Sequence, residues 1–523
     1  MREWMASGNI RLIGITGMGG LGKSTLAAKV YQDDSAEFSN KFWADVSRVG
    51  FTELARRVLL RLGLSQVVVD GIPEISLVDA LINHLRKGKY LLIIDNLESW
   101  LTEDGQWLNQ IYQEFFLGWI GCGGESVVLV TTRERPTLPE IKSQWLPLSG
   151  LSPVEGAALL RDLGIRGGDG ELEEFAKNAE GHPLLLTLVA GFLRVEEEVN
   201  PQISYLQHYP LADVSNLLID KNLTGLHHGK VDIWMLRILE ASFSRIGERL
   251  RELLLGLCVY RLPFNAVMAG FINSSTSPLQ IEIESDNIKI KTIEKDLRQL
   301  AKRSLLQEER DKDRVRWFQF QPFIQEYAKH KAGDLTAAHQ RAINYYLSKL
   351  KSPPWQTEED IKEYLEVFYH YCQLKEYIPA FDILRRCDYF LTLRGDSNIR
   401  VELYGQLVQE WNLSKLEWQF AASLTDLGNA YYSLGQYQLA IEYYQQSKEI
   451  FEEIGDRSGI AKSLMGLGNA YYSLGQYQLA IEYYQQSKEI KEEIGERSGI
   501  ANSLNNLGSA YDSLGQYQLA IEY

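Results

Sequence analysis

"RLIGITGMGGLGKSTLAAKVY", Arg11 to Tyr31, sets an apolar run, a glycine-rich loop and a helix-forming segment end to end. "IRLIGIT" reads as a buried strand, "GMGGLG" cannot continue it, and "KSTLAAKVY" has helical composition, so the spacing predicts strand, loop and helix in that order. Gly17, Gly22, Lys23 and Ser24 fit the pattern G-x-x-x-x-G-K-[ST], in which backbone N–H groups at a helix N-terminus surround a β-phosphate. Glycines are needed there because a Cβ would block the close approach, which assigns Gly17, Gly19, Gly20 and Gly22 to the cradle. Lys23 is expected to reach the β- and γ-phosphates and the Ser24 hydroxyl to bind Mg²⁺, with Thr25 beside them in the nucleotide-binding set.

Two further apolar runs carry polar ends. "KYLLIIDNLESW", Lys89 to Trp100, is a continuous buried strand that delivers Asp95 at its C-terminal edge, where parallel sheets bind ligands. Asp95 is the expected direct or indirect Mg²⁺ partner, next to Asn96. "ESVVLVTTRERP", Glu125 to Pro136, is β-branched and ends in Thr131, Thr132 and Arg133, and Arg133 is placed to read a γ-phosphate or to cap the sheet edge. Asp95, Asn96 and Arg133 form the expected catalytic set.

Together "GMGGLGKSTLA", "FWADVS" (Phe42 to Ser47), "LLIIDNLE", "VVLVTTRE" and "GHPLLL" (Gly181 to Leu186) resemble the NB-ARC class of STAND NTPases, over about residues 10 to 186, with weaker similarity to about 330. The resemblance implies ADP or ATP as ligand, and places Pro183, the proline of the family's GxP motif, against the base and sugar. Two positions depart from the pattern. The second acid after the Walker B aspartate, which in the family polarises the attacking water, is Asn96 here, and an amide cannot act as a base. The histidine that contacts the β-phosphate of ADP near the end of the family's winged-helix domain is replaced by Gln321 in "WFQFQPFIQEYAKH", a donor that cannot become charged. Glu98 is the nearby carboxylate that could substitute for the missing acid, but "NLES" reads as a turn, and strand alternation would then not carry Glu98 to the face of Asn96.

The C-terminal part repeats itself. "LGNAYYSLGQYQLAIEYYQQSKEI" begins at Leu427 and recurs unchanged at Leu467, and a divergent copy begins at Leu507, which gives a period of 40. It resembles the tetratricopeptide repeat (TPR), with Leu424, Gly428, Tyr431, Ala440 and Tyr444 on the packing positions. TPRs stack into a superhelix whose concave face binds peptides or protein segments, and Asn429 and Asn469 fall on the family's groove-facing position. Phe451 against Lys491 is the one difference between the segments 427–455 and 467–495, and so wide an exchange suggests an exposed position. The third copy is incomplete at Tyr523, so either the native protein continues or the chain is a fragment.

The composition narrows the remaining choices. A length of 523 residues calls for three or more domains. The net charge of −15 argues against a general affinity for nucleic acid or anionic lipid and favours protein partners. Four cysteines without a CxxC pair fit a reducing cytosol, no apolar run reaches membrane length, and the N-terminus has no signal peptide, so a cytoplasmic location without a membrane partner is expected. Between Val231 and His330 there are 16 Lys and Arg against 14 Asp and Glu, too even for a surface that tracks phosphates, so the winged helix expected there should pack internally.

The expected fold is a multidomain combination of α/β and all-α parts. It runs from a P-loop NTPase parallel sheet at 1–150 through a small helical domain at 151–225 and a winged helix at 226–332. Helical linker or degenerate repeats follow at 333–415, and a TPR α-solenoid at 416–523. The expected function is an ADP/ATP switch, at most a slow ATPase, that senses a protein ligand through its repeats and forms a homo-oligomer when ATP-bound. A TPR scaffold with a structural nucleotide site is the alternative, and a DNA-binding regulator is a weaker one. Lys23→Ala deletes the charge that faces the phosphates. Calorimetry should show ADP affinity falling by about two orders of magnitude or more, and an unchanged affinity would refute the phosphate loop.

Overall fold

Five parallel strands frame the N-terminal part of the protein in a computed structural model, which describes all residues except 7, 34–37, 48–49, 103, 197–199, 209–229, 274–282 and 412–416. The expected domain boundaries near 225 and 415 lie outside the described residues or at their edge. The strands are β1 (Leu12–Thr16), β2 (Asn40–Asp45), β3 (Tyr90–Asp95), β4 (Val127–Thr132) and β5 (Ser143–Pro147), in the order β2-β3-β4-β1-β5. Every neighbouring pair is parallel. The apolar runs form the strands because each is covered on both faces. Ile13, Ile15, Leu91, Ile93, Val127 and Leu129 form one buried face with Ala27 of the helix Lys23–Gln32. Leu12, Leu92, Ile94, Val128 and Val130, the alternate residues, are also buried. Gly14 has a packing role, since a Cβ there would lie 1.9 Å from the Trp145 ring on β5. The register pairs Thr16 with Thr132 and Asp45 with Asp95, so the polar ends of four strands meet at one C-terminal edge.

The chain divides into two compact units, one comprising Met1–Val49 and Leu85–Lys349, the other Gly50–His84 and Leu350–Tyr523. In the first, helices follow the sheet. Pro153–Asp162 starts at a capping box between Ser152 and Glu155, and Asp169–Asn178 and Pro183–Glu196 follow. Beyond the undescribed stretch come Lys230–Arg245, Glu248–Leu257, Ala266–Asn273 and Ile283–Lys302. The antiparallel hairpin β6 (Gln307–Arg310) and β7 (Arg316–Gln319) then leads into Pro322–Ala332 and Thr336–Leu347.

The second unit is helical. Its segment 50–84 comes between β2 and β3 in sequence, and its polar side chains engage residues 356–398 of the same unit. The Arg56 guanidinium meets Asp396 at 2.5 Å with both side chains buried. Arg394 bonds Glu53 at 3.3 Å and the Gln356 carbonyl at 3.0 Å. Glu74 accepts from the backbone N–H groups of Ser397 (2.8 Å) and Asn398 (3.3 Å), and so caps the helix Ser397–Glu410 from a distant part of the chain.

Helix pairs at the C-terminal end, Trp418–Ser433 with Tyr437–Ile454, Arg457–Ser473 with Tyr477–Glu493, and Arg497–Ser513 with Tyr517–Glu522, follow the 40-residue period. The ring of Tyr444 fills a slot between Gly428 and Gly466, where an added Cβ on either glycine would come within 2.7 Å of it. Tyr484 lies on Gly468 in the same way, at 2.5 Å. One expectation is corrected. Phe451 and Lys491 are 3% and 5% exposed, so the position is buried. Both side chains cover a glycine of the next helix, Gly459 or Gly499, and the aliphatic stem of Lys491 replaces the phenyl ring there. Burial holds the Lys491 amine below its usual pKa.

The ionic cluster makes the second unit sensitive to pH. Glu358 has one carboxyl oxygen buried without a hydrogen-bond partner. Burial foremost, then Glu53 and Asp396, pushes its pKa up to about 9 from an ordinary 4.5. Asp396 is pushed up to about 6, again by burial first, with Arg56 and Arg394 pulling the other way. A raised carboxyl pKa means that the folded state binds the proton more tightly, so this stability is complete below the unfolded value and is lost as pH rises through the folded one. The unit should melt lower at pH 9 than at pH 5. Glu358→Gln should flatten that slope and raise Tm at pH 8 by about 2 °C or more, roughly 1 kcal/mol for a unit of this size. Equal slopes in thermal melts of both proteins would contradict the assignment.

Candidate functional site

The glycine-rich loop leaves β1 and enters the helix Lys23–Gln32 through Gly22, which sits in the left-handed region at φ 91°. Gly20 is also left-handed (φ 79°), and a Cβ on it would press within 2.9 Å of His182 and Leu184. The loop therefore has a backbone that only glycine adopts freely, backed by the start of the helix Pro183–Glu196. Leu185 N–H donates to His182 Nδ1 at 3.4 Å, which leaves Nε2 to donate to the Gly19 carbonyl at 3.1 Å. Lys23 is 7% exposed, and its ammonium lies on the carbonyls of Gly17 (2.6 Å) and Met18 (3.1 Å). Desolvation lowers its pKa, and Glu98 is the charge that most opposes this.

The strand ends supply hard oxygen donors. Asp95 Oδ1 accepts from the Ser24 hydroxyl at 2.8 Å and from the Thr131 hydroxyl. Burial raises its pKa, and the bonds from Thr131 and Ser24 counteract that. Among the described residues no group of three or more His, Cys, Asp or Glu could hold a metal ion unaided. A Mg²⁺ bound through one hydroxyl, one carboxylate and nucleotide phosphates needs no such group. Ser24 and Asp95, already within hydrogen-bond distance of each other, fit that role, and the glycine cradle fits the phosphates.

Asn96 occupies the left-handed region (φ 62°), which turns the chain out of β3 into the 3₁₀ turn Leu97–Trp100. Its N–H donates to Thr131 Oγ1 at 3.0 Å and its Nδ2 to Asp45 Oδ1 at 2.9 Å. The turn expected in "NLES" is present. It brings Glu98 Oε1 to 3.4 Å from Arg133 Nε. Its Oε2 is buried without a hydrogen-bond partner. Arg133 in turn lies against the loop, its Nη2 3.6 Å from where a Gly19 Cβ would be.

Gly17, Gly19, Gly20, Gly22, Lys23, Ser24, Asp95, Asn96 and Arg133 thus converge at one sheet edge, with Thr25 exposed in the first turn of the loop helix and Pro183 half-buried beside His182. Gln321 directly precedes the helix Pro322–Ala332 and makes no capping bond through its side chain. Asn429 and Asn469 belong to the repeats, where their Oδ1 atoms accept from Tyr444 and Tyr484, each at 2.8 Å. Asp45, Thr131 and His182 were not singled out from the sequence. The pairing of "FWADVS" with "LLIIDN" as neighbouring strands would have pointed to Asp45.

Comparison with known proteins agrees with this geometry. Residues 1–161 match the NB-ARC domain, and residues 419–493 and 459–523 match the tetratricopeptide repeat. The disease resistance RPP13-like protein 4 of Arabidopsis thaliana is 29% identical over 219 residues, 38% of this chain and 24% of that protein. An uncharacterized WD repeat-containing protein of Nostoc sp. is 24% identical over 358 residues, 63% of this chain and 25% of that protein. The chain spans about a quarter of the length of these relatives. A crystal structure of a signal transduction ATPase with numerous domains (STAND) carrying a tetratricopeptide repeat sensor, from Pyrococcus horikoshii, aligns over 100% of this chain and 81% of its own, with TM-score 0.51 and 16% identity, a likeness of fold.

Gly181 sets how the His182 helix meets the loop. It is left-handed (φ 62°), and a Cβ on it would lie 1.9 Å from the Leu151 carbonyl oxygen. Gly164 is also left-handed (φ 85°) with open space around it. Gly164→Ala should cost only backbone strain, on the order of 1 kcal/mol. Gly181→Ala should cost clearly more in denaturant unfolding and should weaken ADP binding about tenfold. Equal effects of the two substitutions would show that the close approach does not matter.

Proposed function

We propose that this chain, which carries an NB-ARC domain followed by tetratricopeptide repeats, is a nucleotide-operated signalling switch. ADP and ATP share the loop site, and Mg²⁺ sits between Ser24, Asp95 and the phosphates. The observation that most supports this reading is the double hold on the loop, Lys23 from within and His182 from the Pro183 helix. A loop gripped by the helix that follows the sheet couples nucleotide binding to the arrangement of that helical segment. Pro183 contacts the base and sugar, Arg133 reads the γ-phosphate, and Gln321 donates to the β-phosphate in the ADP form, from a winged helix that packs internally.

The repeats take a protein or peptide ligand. Asn429 and Asn469 contribute through Nδ2, because their Oδ1 atoms are held by tyrosine hydroxyls. Ligand binding shifts the population toward the ATP form, which self-associates in the cytoplasm. A ligand moves such an equilibrium only by its difference in affinity between the two states, so ADP and ATP must favour different assemblies.

Identification of the co-purifying nucleotide, followed by light scattering in ADP and in a slowly hydrolysed ATP analogue, tests the proposal. The ADP form should be monomeric, and the analogue together with a ligand should give a larger species. One mass in all states would favour a scaffold with a structural nucleotide site.

A further inference from the structure

Glu98 stands at the sheet edge where the sequence pattern leaves Asn96 with an amide in place of an acid. Asn96 offers an amide, and that amide is committed, with Nδ2 bonded to Asp45 and its backbone N–H to Thr131. Glu98 brings a carboxylate to the same edge by another route, through the left-handed turn at Asn96 and the 3₁₀ turn after it. Among the charges that act on Lys23, Glu98 is the strongest, and Lys23 is the residue aimed at the β- and γ-phosphates. Glu98 Oε1 is held by Arg133, which itself lies along Gly19 of the loop. Glu98 Oε2 is buried and has no donor. A buried carboxylate oxygen without a hydrogen bond is costly unless something supplies one, and here the oxygen sits beside the phosphate end of the loop.

We infer that Glu98 is the catalytic carboxylate of ATP hydrolysis at this site, its free oxygen accepting a hydrogen bond from the attacking water while Arg133 positions the other. The water oxygen forms a bond to the γ-phosphorus as the bond from that phosphorus to the β–γ bridging oxygen breaks. ADP leaves with the electron pair of that bond, and the proton released by the water passes to Glu98 and then to the phosphate product. Lys23, Ser24 and Asp95 retain the holding role. The inference rests on the loop being a nucleotide site, and it changes the chemical expectation from a site without a water-activating acid to a site whose acid lies three residues after Asp95.

The test is single-turnover hydrolysis of ATP with enzyme in excess, alongside binding of a fluorescent ATP analogue and thermal melts, on wild type, Glu98→Gln and Glu98→Asp. Glu98→Gln should bind the analogue within about threefold of wild type, melt within about 2 °C of it, and hydrolyse at least about a hundredfold more slowly. Glu98→Asp should recover part of the rate, since it keeps the acid and shortens its reach. Hydrolysis by Glu98→Gln at the wild-type rate, or no hydrolysis by wild type above the buffer blank despite bound nucleotide, overturns the inference and leaves the nucleotide site standing. Failure of wild type to bind the analogue at all overturns the nucleotide site itself, and this inference with it.

Discussion

The Asp95 carboxylate ties the N-terminal unit together at the point where its chemistry is assigned. It is buried, and burial alone would favour its neutral form. The hydroxyls of Ser24 and Thr131 both donate to one of its oxygens, and they belong to the loop helix and to β4, whereas Asp95 closes β3. One carboxyl oxygen thereby links three elements. The loop's left-handed glycines can then take up a backbone conformation that opens N–H groups toward a phosphate. Without the Asp95 side chain the apolar faces of the sheet would still pack, but the loop helix would lose its polar anchor to the strand ends.

The second unit solves a different problem, which is to keep charge inside an otherwise apolar stack. Arg56, Asp396, Arg394, Glu53 and Glu74 share one buried cluster, and three of them come from the segment 50–84. Further along, the repeats pack their helices mainly through uncharged groups. They use tyrosine rings on glycines, and serine hydroxyls that bond backbone carbonyls, as Ser447 does to Ala421 (2.8 Å) and Ser487 to Ala461 (2.7 Å). Lys491 can stand where Phe451 stands one repeat earlier because a four-carbon stem covers the neighbouring glycine nearly as well as a ring does.

Local chemistry was legible in the sequence and long-range partnership was not. β1, β3 and β4 were each readable as apolar runs, the loop from its glycines and lysine, and the repeats from their period, because every one of these signals is contained within a short stretch. Nothing in "FTELARRVLLRLG" says that Arg56 will meet Asp396, which lies 340 residues later. The position of Glu98 beside Arg133 was not legible either. The turn was recognised, but strand alternation is informative only while the strand lasts, and one left-handed residue at Asn96 resets the direction of every side chain after it. The exchange at 451 and 491 does not report exposure, because a long amphipathic side chain can cover a buried glycine as an aromatic ring does.

The two kinds of ion pair in this protein have different uses, and their energetics separate them. Arg133 is about half exposed, and its contact with Glu98 is 3.4 Å, so the pair belongs to the class worth about 0–1 kcal/mol. Arg56 and Asp396 are almost wholly buried, and removal of either partner from such a pair typically costs about 3–5 kcal/mol. Loss of either partner leaves an uncompensated charge inside the second unit. The weak, half-exposed pair therefore adds little to the stability of the first unit, whereas the buried pair belongs to the interior of the second and is part of what holds that unit together.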